Sequence, residues 1–459
     1  MHRTAFAGLA LLLLCGCGGT DPAPESKGTG TSGAAASPDE SEAAEKKSSP
    51  RSGQAGSTAK PIPAAAAGID VPEAEPPTLF TAEQLAEGWV ALFDGQTLFG
   101  WEASHPKTGW RVEDGTIIAD GTEPGLLLTS FEIGDFDLSC ECQLEAGGNS
   151  GVFLHTTRNP SDPSADCWEF NLCDTHEKFP TGSMVARKAV PLDHPIEDGK
   201  WHSMLLKAMG NRLVAFIDGE QVLEYEDDTA TPRTTGFIGL QMNGGKVKFR
   251  NVYLRPTGTK PLFNGTDLAG WRVVPGSNSE FEVNDGAIHI GNGPGFLETT
   301  DTYGDFVLQL EARTNAERIN SGVFFRAQPG TEENPSNGYE LQIHHGFAEG
   351  DRRRPDDYGT GFGTGAIFRR VPVRRVMAND NEWFHMTLLA QGPHFVTWVN
   401  GYRTVDFIDT RPADENPRRG LRLEAGHLSL QGHDPGTDID FRNLEITTIA
   451  GGTAAAGTE

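Results

Sequence analysis

The strongest constraint on this chain is a pattern written twice in the same order. LFDGQTLFGW, beginning at Leu92, returns as LFNGTDLAGW, beginning at Leu262. Glu113-Asp114-Gly115 returns as Asn284-Asp285-Gly286, and Gly134-Asp135-Phe136 as Gly304-Asp305-Phe306. NSGVF begins at Asn149 and again at Asn320, and WEFNLCD (168–174) corresponds to YELQIHH (339–345). Thr181-Gly182, Leu240-Gln241 and Phe249-Arg250-Asn251 return as Thr364-Gly365, Leu430-Gln431 and Phe441-Arg442-Asn443. Short motifs repeating in an unchanging order signal a tandem duplication of one folding unit.

Each unit reads as all-β. Runs such as 136–144, 213–217, 307–310 and 395–399 are short, rich in β-branched or aromatic residues and bounded by turn formers. Asp218-Gly219 and Asn400-Gly401 are hairpin turns between alternating runs. Residues 81–87 make the best short helix candidate. Many short antiparallel strands in a unit of this size imply a β-sandwich or jelly roll. The expected partition is a signal peptide at 1–17, a disordered tether at 18–77, sandwiches at 78–257 and 258–450, and a disordered tail at 451–459. The link near 257–260 is short, so the two sandwiches should pack together.

Outside the repeat, the N-terminus is an address. Arg3 precedes an apolar run too short to span a bilayer, as in a secretory signal. Leu14-Cys15-Gly16-Cys17 resembles a bacterial lipobox, which makes Cys17 the lipidated first residue of the mature chain and places the protein in the cell envelope, on the exported side of the membrane. The membrane is then a partner through a lipid anchor only. The following stretch of Ala, Ser, Gly, Pro, Glu and Lys lacks the apolar surface to offset chain entropy. A formal net charge of −26 argues against nucleic acid as a partner, because nothing concentrates cations against phosphates. Among the 6 cysteines, Cys140 and Cys142 share a face with Phe136, Leu138 and Leu144 and read as core. Cys167 and Cys173 end one strand, roughly 20 Å apart if extended, beyond disulfide reach. Buried free thiols are expected.

Candidate chemistry concentrates at 320–345. Alternation turns Val323 and Phe325 one way and Gly322, Phe324 and Arg326 the other; Tyr339, Leu341 and Ile343 oppose Glu340, Gln342 and His344. If the two strands are neighbours, Arg326, Glu340, Gln342 and His344 share one polar face with acid/base capacity, and His345 packs on the other. The second copy also carries an insertion, 346–363, with Arg352, Arg353 and Arg354. It lacks the order and setting of a nucleotide loop and reads as a rim loop whose arginines are solvated.

Taken together, LFDG…GW, NSGV, Y/W-E-x-Q/N, T-G and LQ…FRN resemble the 3-keto-disaccharide hydrolase family, formerly a domain of unknown function, across nearly all of both units. The resemblance implies two tandem concanavalin A-like jelly-roll β-sandwiches and, for the activity, keto-sugar substrates. In the first copy, Arg326 is matched by His155, Gln342 by Asn171, His344 by Cys173 and His433 by Asn243, while Glu340 and Gln431 are kept as Glu169 and Gln241. The second copy is therefore nearer the family pattern. The first is degenerate, structural or tuned to another sugar.

A ketone at C3 of a glycosyl unit acidifies the C2 hydrogen, so a base can open elimination of the C1 oxygen, and water then adds to the enone. That route needs a base, an oxyanion stabiliser and help for the leaving oxygen. Glu340 or His344 serves as base; Arg326, or a divalent cation held by Glu340 and His344, stabilises the oxyanion. Gln342, Gln431 and His433 hold hydroxyls, with Glu169, His155, Asn171 and Gln241 as their counterparts in the first copy. An ordinary glycosidase wants two facing carboxylates, and only Glu340 is clearly on this face. The partner expected is a carbohydrate. The competing reading is a non-catalytic carbohydrate-binding or cell-envelope interaction protein.

Overall fold

A computed structural model of the chain describes residues 76–356, 361–416 and 418–449. Cys17, the rest of the expected signal, most of the tether and the expected tail lie outside the described residues.

The two copies fold into two sandwiches, each of an 8-stranded and a 5-stranded antiparallel sheet. In the second, the larger sheet runs Glu280–Asn284, Ala287–Gly291, Asp438–Thr448, Phe306–Thr314, Phe384–Gln391, His394–Val399 and Tyr402–Ile408, with Lys260–Pro261 paired to the long Asp438–Thr448 strand. The smaller runs Trp271–Val273, Gly295–Thr299, His427–Gly432, Ser321–Ala327 and Tyr339–Ile343. The first sandwich repeats this order, with Asn149–Thr156 and Trp168–Leu172 in the last two places of its smaller sheet. Non-consecutive strands as neighbours are the mark of a jelly roll.

Alternation explains the layering. Val323, Phe325, Tyr339, Leu341 and Ile343 enter one apolar core with Leu428, Leu430 and the inward residues of the larger sheet. Phe325 and Tyr339 stack at 5.3 Å between centroids and 20° between planes. Burying each such side chain contributes roughly 1.5–3 kcal/mol, so a register slip, which would turn the whole row outward, is strongly disfavoured. Cys140 and Cys142 lie in the first core, as expected, and all four described cysteines are buried and unbridged.

The sandwiches meet through a mixed seam. The Trp398 indole donates to the Ala91 carbonyl at 2.9 Å and meets Phe131 edge-on at 5.7 Å. Arg403 donates to the Gly100 carbonyl at 2.9 Å, while Asp406 accepts from Ser130 at 2.5 Å and bonds His394 at 2.7 Å. Gly100 has φ 79°, and a Cβ there would fall 1.4 Å from the Arg403 guanidinium, so only glycine closes the seam. The helix Ala82–Ala86 carries a capping box from Thr81 and Gln84, and Phe80 before it packs on Tyr253 of the first sandwich.

The 346–363 insertion differs from expectation in one respect. Arg352 is buried over the Phe347 ring and donates to the carbonyls of Val376 and Ala378. Its charge is spent on holding the insertion down. Arg353 and Arg354 pair locally with Asp351 and Glu349 near solvent.

Candidate active site

The outward face of the smaller sheet in the second sandwich is built in rows. Glu298 pairs with Ser429, Ser429 with Phe324 and Phe324 with Glu340. Cross-strand partners point to the same side, so these four form one line over four strands. Two residues along the same ladders, and so on the same face, come Phe296, Gln431, Gly322 and Gln342. The strands expected to be neighbours are neighbours, and Glu340, Gln342 and Gln431 share a face.

Gly322 makes room at the centre. A Cβ there would stand 3.0 Å from Glu340 Cγ and 3.1 Å from its Oε1. The carboxylate thus lies across the glycine of NSGV. In the first sandwich Gly151 plays the same part beneath Glu169 and Gln241.

Glu340 is buried, and burial pushes its carboxyl above the usual range; the Arg418 guanidinium opposes this most, with His433 and Arg369 adding to it. Arg418 Nη2 sits 3.1 Å from Glu340 Oε2, and its guanidinium lies 4.8 Å over the Phe324 ring. Around this pair, Ser429 Oγ, Gln431 Oε1, Gln342 Oε1 and Arg418 Nη1 are buried without a hydrogen-bond partner among the described residues. Each such orphan costs roughly 1–3 kcal/mol. Four together at one carboxylate describe a floor shaped for a ligand's hydroxyls.

The imidazoles stand beside this floor. His344 and His433, with Asn320, Arg318, Glu317 and Asp434, line a cleft of about 480 Å³. His344 Nε2 lies 3.1 Å from Asp356 Oδ1 in the insertion, and its backbone N–H donates to Thr364. His433 is exposed and bonds Asp434 at 2.9 Å. Gln342 donates to Asn320 Oδ1 at 2.7 Å, which ties the floor to the cleft wall. His345 packs on the opposite face, edge-on to Phe384, where burial depresses its ring to about 4. The pair Glu340 and His344, considered for a cation, is engaged by separate partners, Arg418 and Asp356. Among the described residues no three His, Cys, Asp or Glu side chains converge as a metal set.

Arg326 leaves the face it was expected to share. Its φ is 50° at a bulge in the ladder between Phe324 and Ala327, and a left-handed residue at a bulge breaks strict alternation. The side chain enters the sandwich interior over Phe395 and donates to the carbonyls of Gly304 and Arg422 and to Asp305. His155 does the same in the first copy, with φ 46° and ring contacts to the carbonyls of Gly134 and Arg233. The matched pair are interior plugs, away from the polar floor.

The arginine that does reach Glu340 was missed. Arg418 lies on the 409–426 connection, which is longer than its counterpart at 227–236. That length difference is the signal the sequence carried. The connection is laced down by Tyr339, whose hydroxyl donates to Asp409 at 2.6 Å; by Arg411, which bonds Asp409 and the Gly420 carbonyl; and by Arg370, which donates to the Arg418 carbonyl at 2.6 Å. Ser429 was missed as well. A second carboxylate, Glu298, is also in the row, but Arg272 and the Gly330 N–H seal it. Three strand spacings put it roughly 14 Å from Glu340, too far for a glycosidase pair.

In the first sandwich Glu298 and Ser429 give way to Leu128 and Gly239, and the outer face gathers Leu126, Leu128, Phe153 and Phe237 into an apolar cluster. Asn171 donates to the Phe179 carbonyl. Glu169 has no cation beside it among the described residues. Burial lifts its carboxyl to about 7, against one bond from Gln241.

Residues 88–255 and 258–447 each match the family described as the 3-keto-alpha-glucoside-1,2-lyase-like domain. A 3-keto-disaccharide hydrolase of Bacteroides thetaiotaomicron is 23% identical over 228 residues, covering 37% of this chain and 79% of that protein. A protein of Parabacteroides distasonis described as a candidate glycosyl hydrolase matches in structure at 23% identity and TM-score 0.36, covering 39% of this chain and 99% of that one. A carbohydrate-binding module of Bacillus subtilis matches at 18% identity and TM-score 0.27, covering 34% and 95%. The chain is thus similar to carbohydrate-active proteins.

Proposed function

The chain belongs to the 3-keto-alpha-glucoside-1,2-lyase-like family, and from that premise we propose that its second sandwich cleaves 3-keto-glycosides by elimination followed by hydration. The observation that carries this reading is a single buried carboxylate, Glu340, paired with one guanidinium, Arg418, on a floor of unpartnered amide and hydroxyl groups.

Glu340, as carboxylate, takes the C2 proton of a bound 3-keto-glycoside. The electron pair moves into an enediolate whose C3 oxygen becomes negative, and Arg418 stands where it can stabilise that charge. The pair then returns, the C1–O bond breaks, and the leaving oxygen takes a proton from the Glu340 carboxyl or from His433. Water adds its hydroxyl at C1 of the enone, its remaining proton restores whichever group protonated the leaving oxygen, and Glu340 delivers a proton to C2, so that the sum is hydrolysis. Gln342, Gln431 and Ser429 hold ring hydroxyls. His344, oriented by Asp356, lines the adjoining cleft where the departing group has room. Glu340 is engaged by Arg418 and His344 by Asp356, and each step is derived from these side chains alone. The first sandwich keeps Glu169 and Gln241 but has an apolar face, and we read it as a support rather than a second centre.

Turnover of 3-keto-trehalose or 3-keto-lactose tests the activity. Release of the free sugar by the wild-type chain, with loss of at least about a hundredfold in Glu340→Gln, is expected for a removed base. Full activity of that variant would sink the assignment of the base. We also propose that Cys17 is lipidated and the sandwiches are exported. Incorporation of labelled palmitate that persists after Cys17→Ala would overturn that.

A further inference from the structure

The rim above Glu340 carries Arg369, Arg370 and Arg418, of which, among the described residues, Arg418 alone is answered by a carboxylate, that of Glu340 itself. In the first sandwich Met184 bridges Phe170 and Lys188; in the second Ile367 bridges Leu341 and Val371. The same turn therefore places Arg187 in one copy and Arg370 in the other. Arg187 is neutralised by Asp227 at 3.2 Å. The equivalent aspartate of the second copy, Asp409, is taken by Arg411 and the Tyr339 hydroxyl. Arg370 is left with two carbonyl partners, those of Arg369 and Arg418, and a buried Nε with none.

Its neighbours repeat the imbalance. Arg369 is exposed over the Phe368 ring, has no acidic partner among the described residues, and directly follows Phe368, whose N–H donates to the Glu340 carbonyl at 2.9 Å. Arg418 spends Nη2 on Glu340 and keeps a buried Nη1 unpartnered, as does Arg422 its Nε. Asp414 and Glu424 on the same connection accept from the N–H groups of Asn416 and Leu423, and among the described residues neither they nor Glu415 form an ion pair with these arginines. A chain of net charge −26 has thus placed two guanidinium groups, those of Arg369 and Arg370, without an ion pair among the described residues, beside an Arg418 that shares its charge with Glu340. Guanidinium groups held by carbonyls alone are poorly stabilised, and a carboxylate or sulfate matches their fork.

We propose that the second sandwich takes a glycoside bearing an anionic group beside the reacting ring, and that Arg370, Arg369 and Arg418 receive it. This rests on the keto-glycoside reading of the same site. The first sandwich, where Arg187 is already neutralised, has no such preference.

Competing methyl 3-keto-glucoside against methyl 3-keto-glucuronide in one reaction with the full chain tests it. The two sugars differ only in a C6 carboxylate. One charge-assisted bond should give the glucuronide a kcat/KM advantage of about tenfold or more at low salt, shrinking as salt is raised. Arg369→Ala and Arg370→Gln should each narrow the ratio several-fold. Arg369 is exposed, so its variant retains the fold even if that of Arg370 does not. Equal cleavage of the two sugars, or a ratio unmoved by Arg369→Ala, overturns the anionic preference and leaves the keto-glycoside reading standing. Cleavage of neither overturns both.

Discussion

Arg326 Nη1 donates to the Arg422 carbonyl at 2.8 Å, so a residue buried inside the sandwich fixes the connection that carries Arg418 to Glu340. Its remaining bonds go to Gly304, Gly392 and Asp305. Arg326→Met should cost about 3–5 kcal/mol, since Asp305 is left facing an apolar group where a cation stood. Urea denaturation should show the loss, and limited proteolysis should open within 409–426. A variant that keeps wild-type stability but loses activity would instead mean that Arg326 touches substrate.

Arg418 should set the acid limb of the pH–rate profile. Glu340 acts as a base only when ionised, so kcat/KM rises with pH through its titration. Burial raises that titration and Arg418 opposes the rise. Removing the cation in Arg418→Ala should therefore move the limb to higher pH. Arg418→Lys should restore part of the shift. An unmoved limb with a lower plateau would mean that Arg418 serves only the oxyanion.

The duplication, the jelly-roll strands and the shared face of Glu340, Gln342 and Gln431 were legible because each depends on period-two alternation and motif order, which are local. Arg326 and His155 were misplaced for a physical reason: a left-handed residue at a bulge resets the alternation, and neither sequence triplet announces it. Arg418 was invisible for another. It reaches Glu340 across 78 residues, from a connection whose course is set by Tyr339, Arg370 and Arg326. Arg352 was read as solvated because its neighbours are charged, whereas the Phe347 ring and two carbonyls bury it.

Gly322→Ala should damage the site more than the fold. The added methyl would stand 3.0 Å from Glu340 Cγ and 3.1 Å from the Leu341 carbonyl, so the carboxylate or the ladder must shift. Overpacking of this kind costs about 1–3 kcal/mol. The Glu340–Arg418 pair would be displaced by a few tenths of an ångström, with kcat/KM falling about tenfold or more as the base loses its alignment. A crystal structure of the variant with Glu340 unmoved would contradict this account.

Glu169 allows a test that does not depend on catalysis. Its carboxyl titrates at about 7 in the folded chain because burial disfavours the charge, against about 4.3 for a solvated glutamate. The folded state therefore holds a proton that the unfolded state releases between those two values. Stability falls as pH rises through that window, and above it the buried carboxylate is a standing cost. Glu169→Gln removes the charge and keeps an amide able to meet Gln241. It should be more stable than wild type at pH 8 by up to about 3 kcal/mol, and indistinguishable near pH 4, where both states of the wild type are protonated. Urea midpoints at the two pH values decide it. A gain of equal size at pH 4 would point to packing rather than charge. A loss at pH 8 would mean that a cation supports Glu169 after all, and the first sandwich would then have to be read as a second site like that of Glu340 and Arg418.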